Sequence, residues 1–455
     1  MNQRDVPRSV LIVGFGRAGT AAAQRCVAEG IEVIAIEDRP SEVHRSAALA
    51  LGVPLVESPS PSRLGEVLEK VEAVIPSPGV SPSHALFSLV EPRRVMSEVD
   101  LALRLAGPDA PPLVAVTGTN GKTTVTTLIT DMLRRSGLSV AAAGNIGMPL
   151  IEAHLEGLDA VVLEMSSFQL VRTQQLAPAV GLWLNVAPDH LDWHSSMADY
   201  VAAKARIWSG QSQNDLAIGN ADDPVVAAAL AHAPGRKDSF GLAGGRWTEA
   251  DGWLVGPDGP IFEVASMRRS LPLDRRNALA AAAAAFSVGA DREAVAGAIA
   301  EFSGLAHRIQ FVAEHNGVCY YDDSKATTPD AVLAGVEGFA SVVLIAGGRN
   351  KGLDLSPLRE AAGRLRAVIC LGEAAEEIAK VFSSAHGGPM LEVVSSMPEA
   401  VAEAARLARP GDVVLLSPGC TSYDRYVSYA ARGEHFVSCV KDVFVAPQSR
   451  DKEAM

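Results

Sequence analysis

The chain has 455 residues, 48% of them apolar and 20% charged. That is material for about three soluble domains of roughly 100–200 residues, and it excludes both a single small binding module and a disordered chain. Its 40 Lys and Arg against 53 Asp and Glu leave a formal charge of −13, which opposes loose association with DNA or an anionic membrane, so neither is expected as a partner.

In chain order, the first elements read strand, turn, helix, strand. The apolar run Val10–Val13 feeds Gly14-Phe-Gly16-Arg17-Ala18-Gly19, a helix follows to about Glu29, and a second strand runs from Glu32 to Glu37. Alternation of this kind predicts a parallel sheet with crossover helices, and the fold class is α/β. Glycines at the turn with Glu37 and Asp38 ending the next strand suit a dinucleotide. They suit another nucleotide, or plain close packing, equally well. The N-terminal stretch shows no secretory pattern, which predicts a cytoplasmic protein. A proline-rich break, Gly107–Pro112, reads as a linker.

A second series of strands and helices begins at Leu113–Thr117 and continues through Ala160–Glu164 and Val180–Asn185. After its first strand come Gly118, Thr119, Asn120, Gly121, Lys122, Thr123 and Thr124, then a helix. Glycines let successive N–H groups converge, the helix start adds positive charge, Lys122 can reach terminal phosphates and the Thr123 hydroxyl can ligate Mg²⁺. The general P-loop pattern opens with a glycine where this chain has Val116, so the loop is a variant. Glu164 ends an apolar strand at the edge where open α/β sheets bind ligands, and a carboxylate there can complete a Mg²⁺ shell. His190 alone would read as a structural histidine. Following another strand of the same edge, it becomes a candidate ligand.

The Ala-rich run Ala278–Ala290 covers only about half to two-thirds of the ~20 residues that a membrane span needs. A third block opens near Gly304, with strands at Val318–Asp322, Val342–Ala346, Ala367–Leu371 and Asp412–Ser417. Small polar loops follow the first and last of these, Asp322–Thr327 and Ser417–Asp424. Three of the six tyrosines fall at Tyr423, Tyr426 and Tyr429, an excess that suits a binding loop or packing alike. Cys26, Cys319, Cys370, Cys420 and Cys439 have no CxxC spacing, which argues against a disulfide framework and a structural zinc site. Domain limits are expected at 1–100, 101–304 and 305–455.

Together these motifs resemble the Mur ligases of peptidoglycan synthesis, over nearly the whole chain and in the same order. The run Gly118–Thr124 is similar to the ATP loop of that superfamily, folylpolyglutamate synthases included. Asp323-Ser-Lys325-Ala-Thr327 and Ser417–Asp424 with Arg432-Gly433 resemble the branch that adds D-glutamate. The resemblance implies three domains, Rossmann-like, P-loop ATPase and Rossmann-like, in a monomer. It implies ligation of D-glutamate to UDP-N-acetylmuramoyl-L-alanine through an acyl phosphate, with ATP and Mg²⁺, the latter at two sites. The Gly14–Gly19 loop would hold UDP, with Arg17, Ala18, Glu37, Asp38, Arg39 and Asn145 on that substrate and the Ser77-Pro-Gly79 turn near its diphosphate. Lys122, His190 and Lys204 would be catalytic, and Thr123, Glu164, His190 and a carbamylated Lys204 would hold the metals. Asn277, Arg308, Asp323 and Lys325 would contact ATP. Lys325, Thr327, Lys351, Ser422, Tyr423 and Tyr429 would take D-glutamate. The stretch Leu271–Asn277 keeps only the last Asn of the family's pattern there, although Asp274 can still accept a hydrogen bond.

A nicotinamide oxidoreductase built on Gly14–Gly19 would leave Gly118–Thr124 and Glu164 without a role. A folylpolyglutamate synthase has no use for the N-terminal domain, and a non-catalytic ATP-gated protein would not need an acceptor amine for phosphate release.

Overall fold

The computed structural model describes residues 6–145, 147–383 and 388–445. The chain divides into two compact units. One comprises Met1–Val186, Trp193–Ser266 and Arg276–Glu301, and the other Ala187–Asp192, Met267–Arg275 and Phe302–Met455.

The first unit contains both of the first two sequence blocks, each with its own parallel sheet. Strands β1 (Ser9–Val13), β2 (Glu32–Glu37), β3 (Leu55–Glu57) and β4 (Ala73–Pro76) lie in the order β3-β2-β1-β4, all parallel. Val10, Leu11 and Ile12 are fully buried, as a strand covered on both faces requires. The turn after β1 works because Gly19 has no side chain, since a Cβ there would stand 2.0 Å from the Gly14 carbonyl oxygen. Helix Arg17–Ala28 can therefore start against the strand end.

The second sheet orders β5 (Leu113–Thr117), β6 (Val140–Gly144), β7 (Ala160–Glu164), β8 (Val180–Trp183), β9 (Leu216–Asn220) and β10 (Arg236–Phe240) as β10-β9-β8-β5-β7-β6, again all parallel. After it in the chain comes a small antiparallel sheet, β11 (Thr248–Ala250), β12 (Trp253–Gly256) and β13 (Gly259–Glu263), which no pattern in the sequence marked. The Ala-rich stretch belongs to helix Pro272–Ser287, where Ala278 to Ala285 are buried. Among the described residues no helix is long and apolar enough to cross a membrane.

The second unit has one sheet: β14 (Gln310–His315), β15 (Val318–Asp322), β16 (Val342–Gly347), β17 (Leu365–Leu371), β18 (Met390–Val394) and β19 (Val413–Gly419), in the order β14-β15-β19-β16-β17-β18. Only β14 is antiparallel, joined to β15 as a hairpin. Burial pushes the thiols of Cys26, Cys370 and Cys420 up to about 12, so at neutral pH they are protonated and unreactive.

Candidate active site

In the first unit three neighbouring strands, β8, β5 and β7, end side by side, and their carboxyl ends carry Asn185, the Gly118–Thr124 loop and Glu164. The loop turns into helix Lys122–Arg135 at Gly121, whose φ of 85° is open to glycine and strained for other residues. A Cβ at Gly121 would also stand 2.9 Å from Asn277 Oδ1, so that asparagine lies directly over the turn. Lys122 Nζ donates to the carbonyls of Gly118 at 2.8 Å and Thr119 at 2.9 Å, folded back over its own loop. The buried Lys204 donates to the same Gly118 carbonyl at 2.7 Å, with its Nζ 4.6 Å from the centre of the Tyr200 ring. Thr123 is half-buried in the first turn of the helix and Thr124 is buried behind it.

Two residues outside the predicted set hold this cradle. Asn185 Oδ1 accepts from the Asn120 N–H at 2.8 Å and its Nδ2 donates to the Asn120 carbonyl at 3.1 Å, a two-way clamp. The Tyr200 hydroxyl lies 3.1 Å from Thr119 Oγ1. Asn185 stands just past the end of β8, a position that itself marks the ligand edge. Tyr200 faces Thr119 across a sequence separation of 81 residues, and no local pattern marks it.

Glu164 is 1% exposed. Its Oε1 accepts from Asn145 Nδ2 at 3.1 Å, and the backbone N–H of Asn145 donates to the Glu164 carbonyl at 2.8 Å. Its other oxygen, Oε2, is buried with no hydrogen-bond partner among the described residues. A buried carboxylate oxygen left open beside a phosphate loop fits a hard divalent cation, for which oxygen donors are the natural ligands. Among the described residues no group of three or more His, Cys, Asp and Glu side chains gathers into a metal cluster by itself. His190 belongs to the second unit, with a φ of 56° and its Nε2 3.2 Å from Asp189 Oδ2.

At the end of β1, Glu37 braces the glycine turn. Its Oε2 accepts from the Phe15 N–H at 2.8 Å and its Oε1 from the Arg39 N–H at 3.0 Å. Ser77 Oγ donates to the Gly14 carbonyl at 2.7 Å, tying the Ser77–Gly79 turn to the same loop. Asp38 lies 3.0 Å from His84 Nε2, Arg17 and Arg39 are exposed, and Ala18 is half-buried.

In the second unit the adjacent strands β15, β19 and β16 end together and carry the predicted amino-acid loops. Asp323 accepts from Ser417 Oγ at 2.8 Å and the Ile309 N–H at 3.2 Å. Burial pushes its carboxyl up to about 7, while the Ser417 hydroxyl and the nearby Arg308 pull it down. Lys325 Nζ lies 5.1 Å from the centre of the Tyr429 ring. Ser422 is buried and Thr327 half-buried, whereas Lys351, Tyr423 and Tyr429 are exposed. Beneath them the buried Arg432 donates to Ser324 Oγ at 2.9 Å, the Ser324 carbonyl at 2.8 Å and the Cys420 carbonyl at 3.1 Å. His307 Nδ1 lies 2.6 Å from Asp322 Oδ2, another contact absent from the sequence reading. Asp274 does accept hydrogen bonds, from Arg269 Nε at 2.7 Å and the Leu271 N–H at 3.2 Å.

The predicted residues are thus gathered into two sets. Gly118–Thr124, Asn145, Glu164, Lys204 and Asn277 lie in the first unit with the Gly14–Gly19 loop. His190, Arg308, Asp323, Lys325, Thr327, Lys351, Ser422, Tyr423 and Tyr429 lie in the second.

Comparison with known proteins bears on the family of the chain. Residues 116–270 match the Mur ligase middle domain and residues 307–420 the Mur ligase glutamate ligase domain. The UDP-N-acetylmuramoylalanine–D-glutamate ligase of Pelotomaculum thermopropionicum is 38% identical over 454 residues, covering 95% of this chain and 97% of its own. That of Frankia casuarinae is 41% identical over 448 residues, covering 95% and 93%. Among solved structures, MurF ligase from Thermotoga maritima in complex with ADP superposes with a TM-score of 0.62 at 19% identity, over 90% of this chain and 94% of that one. With this fold, these domains and relatives matched over 95% of its length, the chain belongs to the Mur ligase family, among its UDP-N-acetylmuramoylalanine–D-glutamate ligases.

Proposed function

We propose that the chain is the cytoplasmic, ATP-dependent ligase that joins D-glutamate to UDP-N-acetylmuramoyl-L-alanine, acting as a monomer of three domains with limits near 100 and 304. The observation that carries this reading is one sheet edge with two features, a lysine-bearing phosphate loop and a buried carboxylate oxygen left open.

A carboxylate needs a leaving group before an amine can displace its oxygen. An oxygen of the substrate's L-alanine carboxylate attacks the γ-phosphorus of ATP, the bond to the bridging oxygen breaks, and ADP departs. The D-glutamate nitrogen then attacks the acyl carbon, loses a proton, and the tetrahedral intermediate collapses to amide and inorganic phosphate. Lys122 would exchange its two loop carbonyls for the β and γ phosphates, and the N–H groups of Gly118–Thr124 would hold the phosphate oxygens. Mg²⁺, when bound, supplies charge neutralisation on the phosphoryl oxygens. Thr123, Glu164, His190 and a carbamylated Lys204 would hold it, over two sites. Asn277, Arg308, Asp323 and Lys325 would contact the nucleotide. Arg17, Ala18, Glu37, Asp38, Arg39 and Asn145 would serve the UDP substrate, and Lys325, Thr327, Lys351, Ser422, Tyr423 and Tyr429 D-glutamate. Positioning supplies most of the rate in such a site, because the protein contributes no covalent step.

The test is Mg²⁺-dependent phosphate release from ATP with UDP-N-acetylmuramoyl-L-alanine, comparing D-glutamate, L-glutamate and no amino acid. Release only with D-glutamate is expected; equal release with L-glutamate or without an amino acid would overturn the reading. Carbamylation has its own test: the activity of Lys204→Ala should be partly restored by short-chain carboxylates, and failure of every such acid would count against the modified lysine.

A further inference from the structure

Helix Ser167–Arg172 follows Glu164 and β7 almost immediately, and its last residue does something the phosphate chemistry does not require. Arg172 is 8% exposed. Its Nη1 donates to the Ser77 carbonyl at 2.7 Å and its Nη2 to the Val80 carbonyl, 95 and 92 residues away in sequence. The guanidinium also lies over two aromatic rings, 5.0 Å from the centre of Phe87 and 5.6 Å from that of Trp193. Burial lowers its pKa to about 10, so it keeps its charge at neutral pH.

A buried guanidinium spent on two backbone carbonyls is costly as mere glue, since desolvating the charge offsets most of what the hydrogen bonds return. What those bonds achieve is geometric. Ser77 is tied through its hydroxyl to Gly14, so one side chain holds the Ser77–Val80 turn and, through it, the glycine loop. The six-residue helix is about 9 Å long at 1.5 Å per residue. It carries the open Glu164 carboxylate just before its start and the substrate turn at its end. A helix that follows the strand of Glu164 directly and is tied to the turn at its last residue is a spacer between the two.

We infer that Arg172 is a positioning residue for the nucleotide substrate: it sets the distance between the Ser77–Gly79 turn and the phosphate cradle, and so places the acceptor carboxylate for attack. The inference rests on the proposed function above. Misplacement of a reacting group by about 1 Å can cost on the order of 100-fold in rate.

The experiment compares wild type with Arg172→Met, which keeps the apolar stem, and Arg172→Lys, which keeps charge and can reach one carbonyl. Rates are measured well below each variant's unfolding temperature. kcat/KM for UDP-N-acetylmuramoyl-L-alanine should fall about 10- to 100-fold in the Met variant and less in the Lys variant, with KM for ATP within about twofold of wild type. Amide exchange at Val80, whose N–H donates to the Ser77 carbonyl at 3.1 Å, should accelerate in the Met variant. If Arg172→Met does not fold, the Lys variant carries the same split. An unchanged kcat/KM in a folded variant, or an equal rise in KM for ATP, would overturn the inference and leave the ligase reading standing. A wild-type chain without D-glutamate-dependent release would overturn the ligase reading and the inference with it.

Discussion

The phosphate cradle of the first unit and the amino-acid loops of the second are both built at the ends of three adjacent parallel strands, yet they are finished differently. In the cradle the charged groups lie deep: Lys204 and Glu164 are each 1% exposed, and the half-buried Lys122 is bonded to loop carbonyls. In the loops the frame is buried and the tips are open. Arg432 and Ser422 are 3% and 2% exposed, whereas Tyr423 is 63% exposed. On the proposed reading the contrast has a physical reason: charge stabilisation is strongest in preorganised, water-poor surroundings, whereas an amino acid arriving from solvent would need accessible side chains over a buried base.

The largest effect should come from the cradle. Lys122→Ala should lower turnover by roughly 10³-fold or more while its circular dichroism and unfolding midpoint stay close to wild type. Near-normal phosphate release would mean that the lysine is only a loop brace, and the contrast between the regions would collapse.

Arg432→Met tests the frame under the tips. It strips donors from the carbonyls of Ser324 and Cys420, and urea unfolding should show a loss of about 2–4 kcal/mol. A loss within experimental scatter would show that the loops need no such frame.

Glu98 is a buried acid outside the two predicted sets, and it sharpens the comparison by showing what burial of a carboxylate costs. It accepts from the Ile151 N–H at 3.1 Å, and burial raises its carboxyl to about 7 from an ordinary 4.5. The folded chain therefore holds this proton more tightly than the unfolded one, so its contribution to stability is lost as pH rises from about 4.5 through 7. Glu98→Gln should be more stable than wild type at pH 8 by up to about 3 kcal/mol, and the gap should close towards pH 5. Thermal melts at the two pH values decide it. A gap that widened on acidification would mean that the ionised carboxylate is the favoured native form.

The smallest effect on stability belongs to the tips. Tyr423→Ala should change unfolding free energy by less than about 0.5 kcal/mol. Its KM for D-glutamate should rise about tenfold, some 1.4 kcal/mol of binding. Unchanged KM values would remove Tyr423 from the amino-acid site.

Much of this was legible in advance because it is local. Strands Leu113–Thr117 and Ala160–Glu164 are found where their apolar runs predict them, since a parallel strand buried on both faces must be apolar along its length. Glycine loops at strand ends announced the cradle for an equally local reason, the backbone angles that only glycine takes freely. The antiparallel sheet β11–β13 went unseen, because strands such as Thr248–Ala250 and Trp253–Gly256 are too short and too exposed to show a clean alternation.

The sequence by itself determined the element order, the glycine-rich loop with its lysine and the family that these motifs resemble. Tertiary structure alone decided which strand ends became neighbours, and with them the pairing of Asn185 with Asn120, Tyr200 with Thr119, Arg432 with Ser324 and Arg172 with Ser77. It also decided that Glu164 Oε2 would stay open. Such contacts join residues far apart in the chain. Their geometry follows from sheet order and packing, which no local pattern of residues encodes.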